Sequence, residues 1–307
     1  ALEFNDYDFA SFEKKVGIKN RYVVEDETGL DLAVEACNKL FKDVDSGLID
    51  FIIYCTQSPE YFLPTTACIL QDRLGLSKNI GALDYNLGCS GYVYGLAMAK
   101  SLINSGVAKN VLLVTAETYS KFLHKKDRSN RSIFGDAATA TLISWDEVEH
   151  IGNFQFGTDG SGYKKLIVKN GASRFPFDSE VSEKQYGTNN TYTDNHLYMD
   201  GPEIFNFTAE NIPDFTLETV KANGLEKDDI GQFVLHQANA FMLNFMRKKM
   251  KVEKDKFFID LEDGGNTVSS TIPIALEKYC HNKNNEEKIA LIGFGVGLSW
   301  AGCVVTI

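Results

Sequence analysis

Asp84-Tyr-Asn-Leu-Gly-Cys-Ser-Gly-Tyr92 joins a short apolar run, Ile80 to Tyr85, to a stretch that reads as helix from about Ser90 to Ser105 and stops at Gly106. A cysteine at such a strand-to-helix corner sits among unpaired amides at the positive end of the helix dipole, which favours the thiolate. Cys89 is therefore a candidate nucleophile that carries an acyl group. A single cysteine is more often one more small buried residue, so the case rests on what the rest of the chain supplies.

Outward from that corner, apolar runs alternate with helical periodicity. Leu30, Ala33, Val34, Cys37, Leu40 and Phe41 recur at helical spacing and predict a helix over Glu27 to Val44. Leu48–Cys55 is a mostly apolar run, as in a strand covered on both faces, and Asn110–Ala116 reads as another buried strand. A helix is expected over Thr65–Leu74, an exposed loop over 117–133, and a small-residue turn plus strand at Phe134–Ser144. In the second half, strands are expected at Ile151–Phe156, Tyr163–Lys169, Gly231–His236, Phe257–Asp260, Lys288–Gly293 and Leu298–Ile307. Helices fall at Pro202–Ala222 (bent or restarted at Pro213), Asn239–Met250 and Thr271–Cys280, and the polar stretch 170–196 reads as a long loop or lid. This is an α/β layered pattern with a largely parallel sheet. Both halves place a reactive residue after a strand and close on a glycine turn plus strand, which suggests a duplication with halves 1–148 and 149–307.

The 307 residues are 44% hydrophobic and 24% charged, as in an ordinary globular protein with a large core. A net charge of −11 argues against general nucleic-acid binding, and no apolar run is long enough for a membrane span. The start, Ala1-Leu-Glu-Phe-Asn-Asp, has neither a basic leader nor an apolar core, and no Met opens it, so residues before Ala1 are expected to be missing. The six cysteines form no Cys-x-x-Cys pair and no cluster with the five histidines, which predicts free thiols, a cytoplasmic setting and no metal site.

His236 closes the run Val234-Leu-His, at the end of a strand where α/β sheets bind ligands. Asn266 lies in Gly264-Gly-Asn-Thr-Val-Ser-Ser270, a turn of small residues that lets an amide face a cavity. One Cys, one His and one Asn at element ends suit acyl transfer: a thiol, a group to handle a proton, and neutral donors for an oxyanion. Two N–H donors on a thioester oxygen would also stabilise the enolate left by a decarboxylation. Gly293-Phe-Gly-Val-Gly297 precedes a strand rather than a helix, so it is not a dinucleotide loop. Arg247-Lys-Lys-Met-Lys251 is either a solvated helix face or a dock for an acidic carrier or a phosphate.

Leu87-Gly-Cys-Ser-Gly91, Phe134-Gly-Asp-Ala137, His236-Gln-Ala-Asn239, Gly265-Asn-Thr267 and Gly293–Gly302 resemble, in this order, the motifs of the β-ketoacyl-acyl-carrier-protein synthase III family, of the thiolase fold. The resemblance implies duplicated βαβαβαββ halves in a five-layered αβαβα arrangement, and a homodimer. It implies Cys89 as the acylated nucleophile, His236 and Asn266 as the decarboxylation and condensation pair, and an oxyanion hole from the amides of Cys89 and Val296. Leu63, Phe294 and Leu298 would line the acyl pocket, Leu63 that of the partner. Arg128 would sit at the mouth for the coenzyme A or carrier arm, with Lys248 and Lys249 docking the carrier. No cofactor would be bound permanently; acyl-CoA and the phosphopantetheine of acyl carrier protein are substrates. The expected reaction is decarboxylative condensation of an acyl primer with malonyl-acyl carrier protein. The alternatives are acyl transfer to an amine or hydroxyl without condensation, and a non-catalytic subunit of a heterodimer. Ser11, Lys15 and Phe241 stand where the family carries other residues near coenzyme A, and 170–196 is unlike housekeeping members.

Overall fold

The computed structural model describes residues 8–281 and 286–307; the reading of the first six residues lies outside them. In the first half the order is α1 (Phe9–Val16), α2 (Gly29–Leu40), β1 (Phe51–Cys55), α3 (Thr66–Arg73), β2 (Gly81–Tyr85), α4 (Gly91–Asn104), β3 (Asn110–Glu117), α5 (Arg128–Arg131) and β4 (Ala137–Ser144). The second half runs β5 (Ile151–Thr158), β6 (Leu166–Val168), β7 (Lys184–Tyr186), β8 (Asn190–Tyr192), β9 (Leu197–Met199), α6 (Gly201–Ala222), β10 (Gln232–Leu235), α7 (Ala240–Lys249), α8 (Thr271–Cys280), β11 (Lys288–Gly295) and β12 (Ser299–Thr306). Two four-stranded sheets result, ordered β2-β1-β3-β4 and β10-β11-β12-β5. β1 is parallel to β2 and β3, and β10 to β11; each sheet turns antiparallel at the β3–β4 and β11–β12 pairs.

The two sheets stack with α4 and α8 between them, α2 and α3 outside the first, and α6 and α7 outside the second. The alternation of side chains along each strand shows why the runs are apolar throughout. On β1, Ile52 and Tyr54 pack outward beneath α2 and α3, whereas Ile53 packs inward against α4. On β10, Phe233 and Leu235 pack outward toward α7, and Val234 inward. A strand with helices on both faces has no side to give to water.

Several expectations change. Phe257–Asp260 is not a strand: a single parallel bridge from Phe257 to Phe233 remains of it. The stretch 117–133 is only partly exposed: Lys121, Lys125 and Lys126 face outward, whereas Tyr119 is buried and Asp127, Arg128 and Asn130 are buried against the polar stretch that follows Val168. That polar stretch is itself folded: β7 and β8 form a hairpin whose Tyr186 hydroxyl donates to Asp127 (2.7 Å). Pro213 does not restart α6. The Ala209 carbonyl that Pro213 cannot serve accepts from Lys249 Nζ at 2.8 Å, so the helix continues.

Candidate active site

β2 delivers the chain to the Gly88–Cys89 turn, and the Gly91 amide closes it on the Gly88 carbonyl at 2.7 Å, opening α4. Cys89 is buried with Tyr119, Phe134, Leu166, Leu197 and Val268. Its thiol is pushed up to about 12, first by burial and then by the nearby Glu117 carboxyl; the amides of Val296 and of Cys89 itself act in the opposite sense. The expectation that the helix end alone would favour a thiolate is thus corrected, because desolvation outweighs the amides at this corner. The hairpin of β11 and β12 passes so close that a Cβ on Gly295 would lie 2.8 Å from the Cys89 Sγ. Only a glycine lets that backbone approach.

Asn266 and His236 meet around Val268. The Val268 amide donates to Asn266 Oδ1 at 2.9 Å, which fixes the side chain and leaves its NH2 as the available end. Val268 takes a positive φ of 57°, a strained conformation for a β-branched residue. It is held there by Asn266 on its amide and by the Thr271 hydroxyl, which donates to its carbonyl at 3.1 Å. Thr271 Oγ1 also lies 2.7 Å from His236 Nδ1. Burial lowers His236 to about 3, opposed by a hydrogen bond to the Val268 carbonyl, so the imidazole is neutral at ordinary pH. Phe294 packs edge-on against it, with centroids 5.4 Å apart. The Asn266 turn is pinned to the Phe134 turn by Asn266 N to Ile133 O (2.9 Å) and Gly135 N to Asn266 O (3.0 Å). Gly265 makes this possible: its φ is 68°, and a Cβ would stand 2.5 Å from the Ile133 carbonyl.

Model sequences of 3-oxoacyl-[acyl-carrier-protein] synthase III match residues 83–160, and those of its C-terminal part match 220–307. A Clostridium perfringens β-ketoacyl-[acyl-carrier-protein] synthase III is 36% identical over 298 residues, 95% of this chain and 88% of the relative. The chain belongs to the β-ketoacyl-acyl-carrier-protein synthase III family. A crystal structure of a 3-oxoacyl-(acyl-carrier-protein) synthase III superposes with a TM-score of 0.96 at 46% identity, covering 100% of this chain and 94% of that one. The enzyme from Burkholderia xenovorans LB400 gives 0.90 at 33%, covering 100% and 88%. The five-layered thiolase fold and an acyltransferase assignment follow from this membership in the synthase III family.

The remaining expected residues of this synthase III chain divide. Phe294 reaches the site through His236. Leu298 is buried in the same cluster as Phe294, with Trp300 packed against that cluster. Leu63 is 82% exposed, beside Phe62 at 84%. Arg128 is 8% exposed and donates to the Thr188 carbonyl (2.7 Å) in a cavity that it shares with Lys15, Tyr186 and Met199. Lys248 is exposed on α7, whereas Lys249 is engaged with Ala209. Three residues went unread in the sequence. Thr271 read only as a helix start, Val268 as a small turn residue, and Glu117 as the first charge of a loop. A carboxylate ending an apolar strand at a ligand-binding edge was the available signal. Among the described residues, no His, Cys, Asp and Glu cluster could hold a metal ion, and no helix is long and apolar enough to cross a membrane.

Proposed function

We propose that this chain condenses an acyl-CoA or acyl-carrier primer with malonyl-acyl carrier protein, through a thioester on Cys89. The Cys89 sulfur attacks the primer carbonyl and the donor thiol leaves with the proton. The malonyl carboxylate then departs as CO2, and the resulting enolate attacks the Cys89 thioester, returning the thiol. The amides of Cys89 and Val296 hold the oxyanion; Asn266 Nδ2 and His236 hold the enolate oxygen. The observation that supports this reading is the arrangement around Val268, which holds a neutral imidazole and an oriented amide and packs in the same buried cluster as Cys89. With the Thr271 proton on the Val268 carbonyl, Nδ1–H donates to Thr271 and Nε2 is an acceptor, the form that takes the Cys89 proton. With the Thr271 proton on Nδ1, Nε2–H is a donor, the form that serves the enolate.

In this reading the protein has its two halves at 1–148 and 149–307, works in the cytoplasm and binds no permanent cofactor. It is a homodimer whose exposed Tyr61-Phe62-Leu63 segment meets the partner's acyl pocket; the segment leads into α3, whose first amides donate to Asp84 on the edge strand β2. Arg128 and Lys248 serve the coenzyme A or carrier side. Release of labelled CO2 from malonyl-carrier, dependent on an acyl primer, tests the proposal. Primer consumed by an amine or hydroxyl acceptor with no CO2 released would replace condensation by simple transfer.

A further inference from the structure

Glu117 is a buried carboxyl that the steps above leave unused. It ends β3, has no exposed surface, and is reached by neutral donors only: the Gln57 amide (3.1 and 3.2 Å), the Ser58 hydroxyl (3.1 Å) and the Ser269 hydroxyl (2.9 Å). These donors come from two loops of the site. Gln57 accepts from the Tyr119 hydroxyl and its Oε1 would stand 2.5 Å from a Cβ on Gly88, the residue before Cys89. Ser269 follows Val268, the common support of Asn266 and His236. Glu117 thus connects to Cys89 through Gln57 and Gly88, to Asn266 through Ser269 and Val268, and to His236 through these and Thr271.

We propose that Glu117 is a positioning residue that joins these loops as a neutral acid, and that losing its proton opposes the Cys89 thiolate and so sets the alkaline ceiling of Cys89 reactivity. As an acid it keeps the same partners, because either serine hydroxyl can turn to accept its proton. Ionised, it places a negative charge behind the sulfur in a water-poor interior, and two buried like charges oppose each other. Burial raises Glu117 to about 8, with Asp136 adding to the shift. The other ionisable groups facing it are Tyr54 and Cys55 of β1, Tyr85 of β2, Cys89 and Tyr119; each feels its charge, and none supplies a cation.

The inference rests on Cys89 being the nucleophile, and its test reads the thiol rather than turnover. Iodoacetamide alkylation of the Cys89 peptide is followed by mass spectrometry across about pH 6 to 9.5, in the wild type and in Glu117→Gln. Below about pH 7 the two rates should agree within about twofold; by pH 9.5 the wild type should lag by about fivefold or more. Superimposable profiles, or a constant offset at every pH, would overturn the proposal. Should Glu117→Gln lose its near-ultraviolet circular dichroism, the wild-type profile decides alone: a break in slope near pH 8 supports the proposal and a straight line overturns it. Acylation of Cys89 in the same wild-type sample reports separately on the proposed function.

Discussion

Thr271→Val removes one hydroxyl and keeps the shape of the side chain. That hydroxyl is the 2.7 Å partner of His236 Nδ1 and the 3.1 Å donor to the strained Val268. Both sit in a buried site, so no water replaces the lost partner. Leaving a buried polar group unpaired costs about 1–3 kcal/mol. If that falls on the transition state, where the imidazole must be oriented and in the right tautomer, decarboxylation slows about 10- to 100-fold, since about 1.4 kcal/mol is tenfold. The loss should appear in the turnover number more than in KM, because Thr271 touches the imidazole and not the carrier. The assay is CO2 release from malonyl-carrier at saturating primer, with Thr271→Ser, which keeps the hydroxyl, expected within about threefold of the wild type. A folded Thr271→Val enzyme turning over within twofold would refute the claim that this hydroxyl governs His236.

Gly295→Ala places a methyl carbon 2.8 Å from Sγ, so Cys89 acylation should fall by about tenfold or more while the thermal midpoint drops by the cost of about 1–3 kcal/mol of overpacking; mass spectrometry and calorimetry read the two. Lys249→Met should destabilise by about 0.5–1 kcal/mol in urea unfolding, and by less in a Pro213→Ala background, where residue 213 supplies the amide for the Ala209 carbonyl. Because burial holds folded His236 near 3 against an ordinary 6.5, the unfolded chain takes up a proton that the folded one refuses: this stability is whole above about pH 6.5 and fades as pH falls toward 3. The wild type should lose about 2 kcal/mol from this source between pH 7 and 5, and His236→Asn should lack that share of the slope in paired urea titrations.

The sheets were legible because their strands are apolar on both faces: Ile52 and Ile53 announce a buried strand whichever layer each enters. Cys89, His236 and Asn266 were legible because each stands at the end of an element, beside glycines that permit close approach. What links them was not. Val268 is held at its positive φ by hydrogen bonds within its own turn, and what ties that turn to His236 is the Thr271 hydroxyl, 35 residues further along the chain, which no local pattern encodes. The elevated thiol follows from burial beneath elements far along the chain, which a helix-end rule omits. The stretch 170–196 reads as loop from its composition, yet Tyr186 and Asn190 fold it over α5 through contacts about 60 residues apart in sequence, with Tyr186 59 residues from Asp127 and Asn190 61 from Ser129.

The central claim is that residue 89 carries the acyl chain. The intact mass of the protein after brief incubation with acetyl-CoA tests it most directly. One acetyl group, mapped to the Cys89 peptide, released by malonyl-carrier and missing from Cys89→Ala, is the expected result. An acetyl group that persists in Cys89→Ala, or one on Cys89 that malonyl-carrier never discharges, would contradict it.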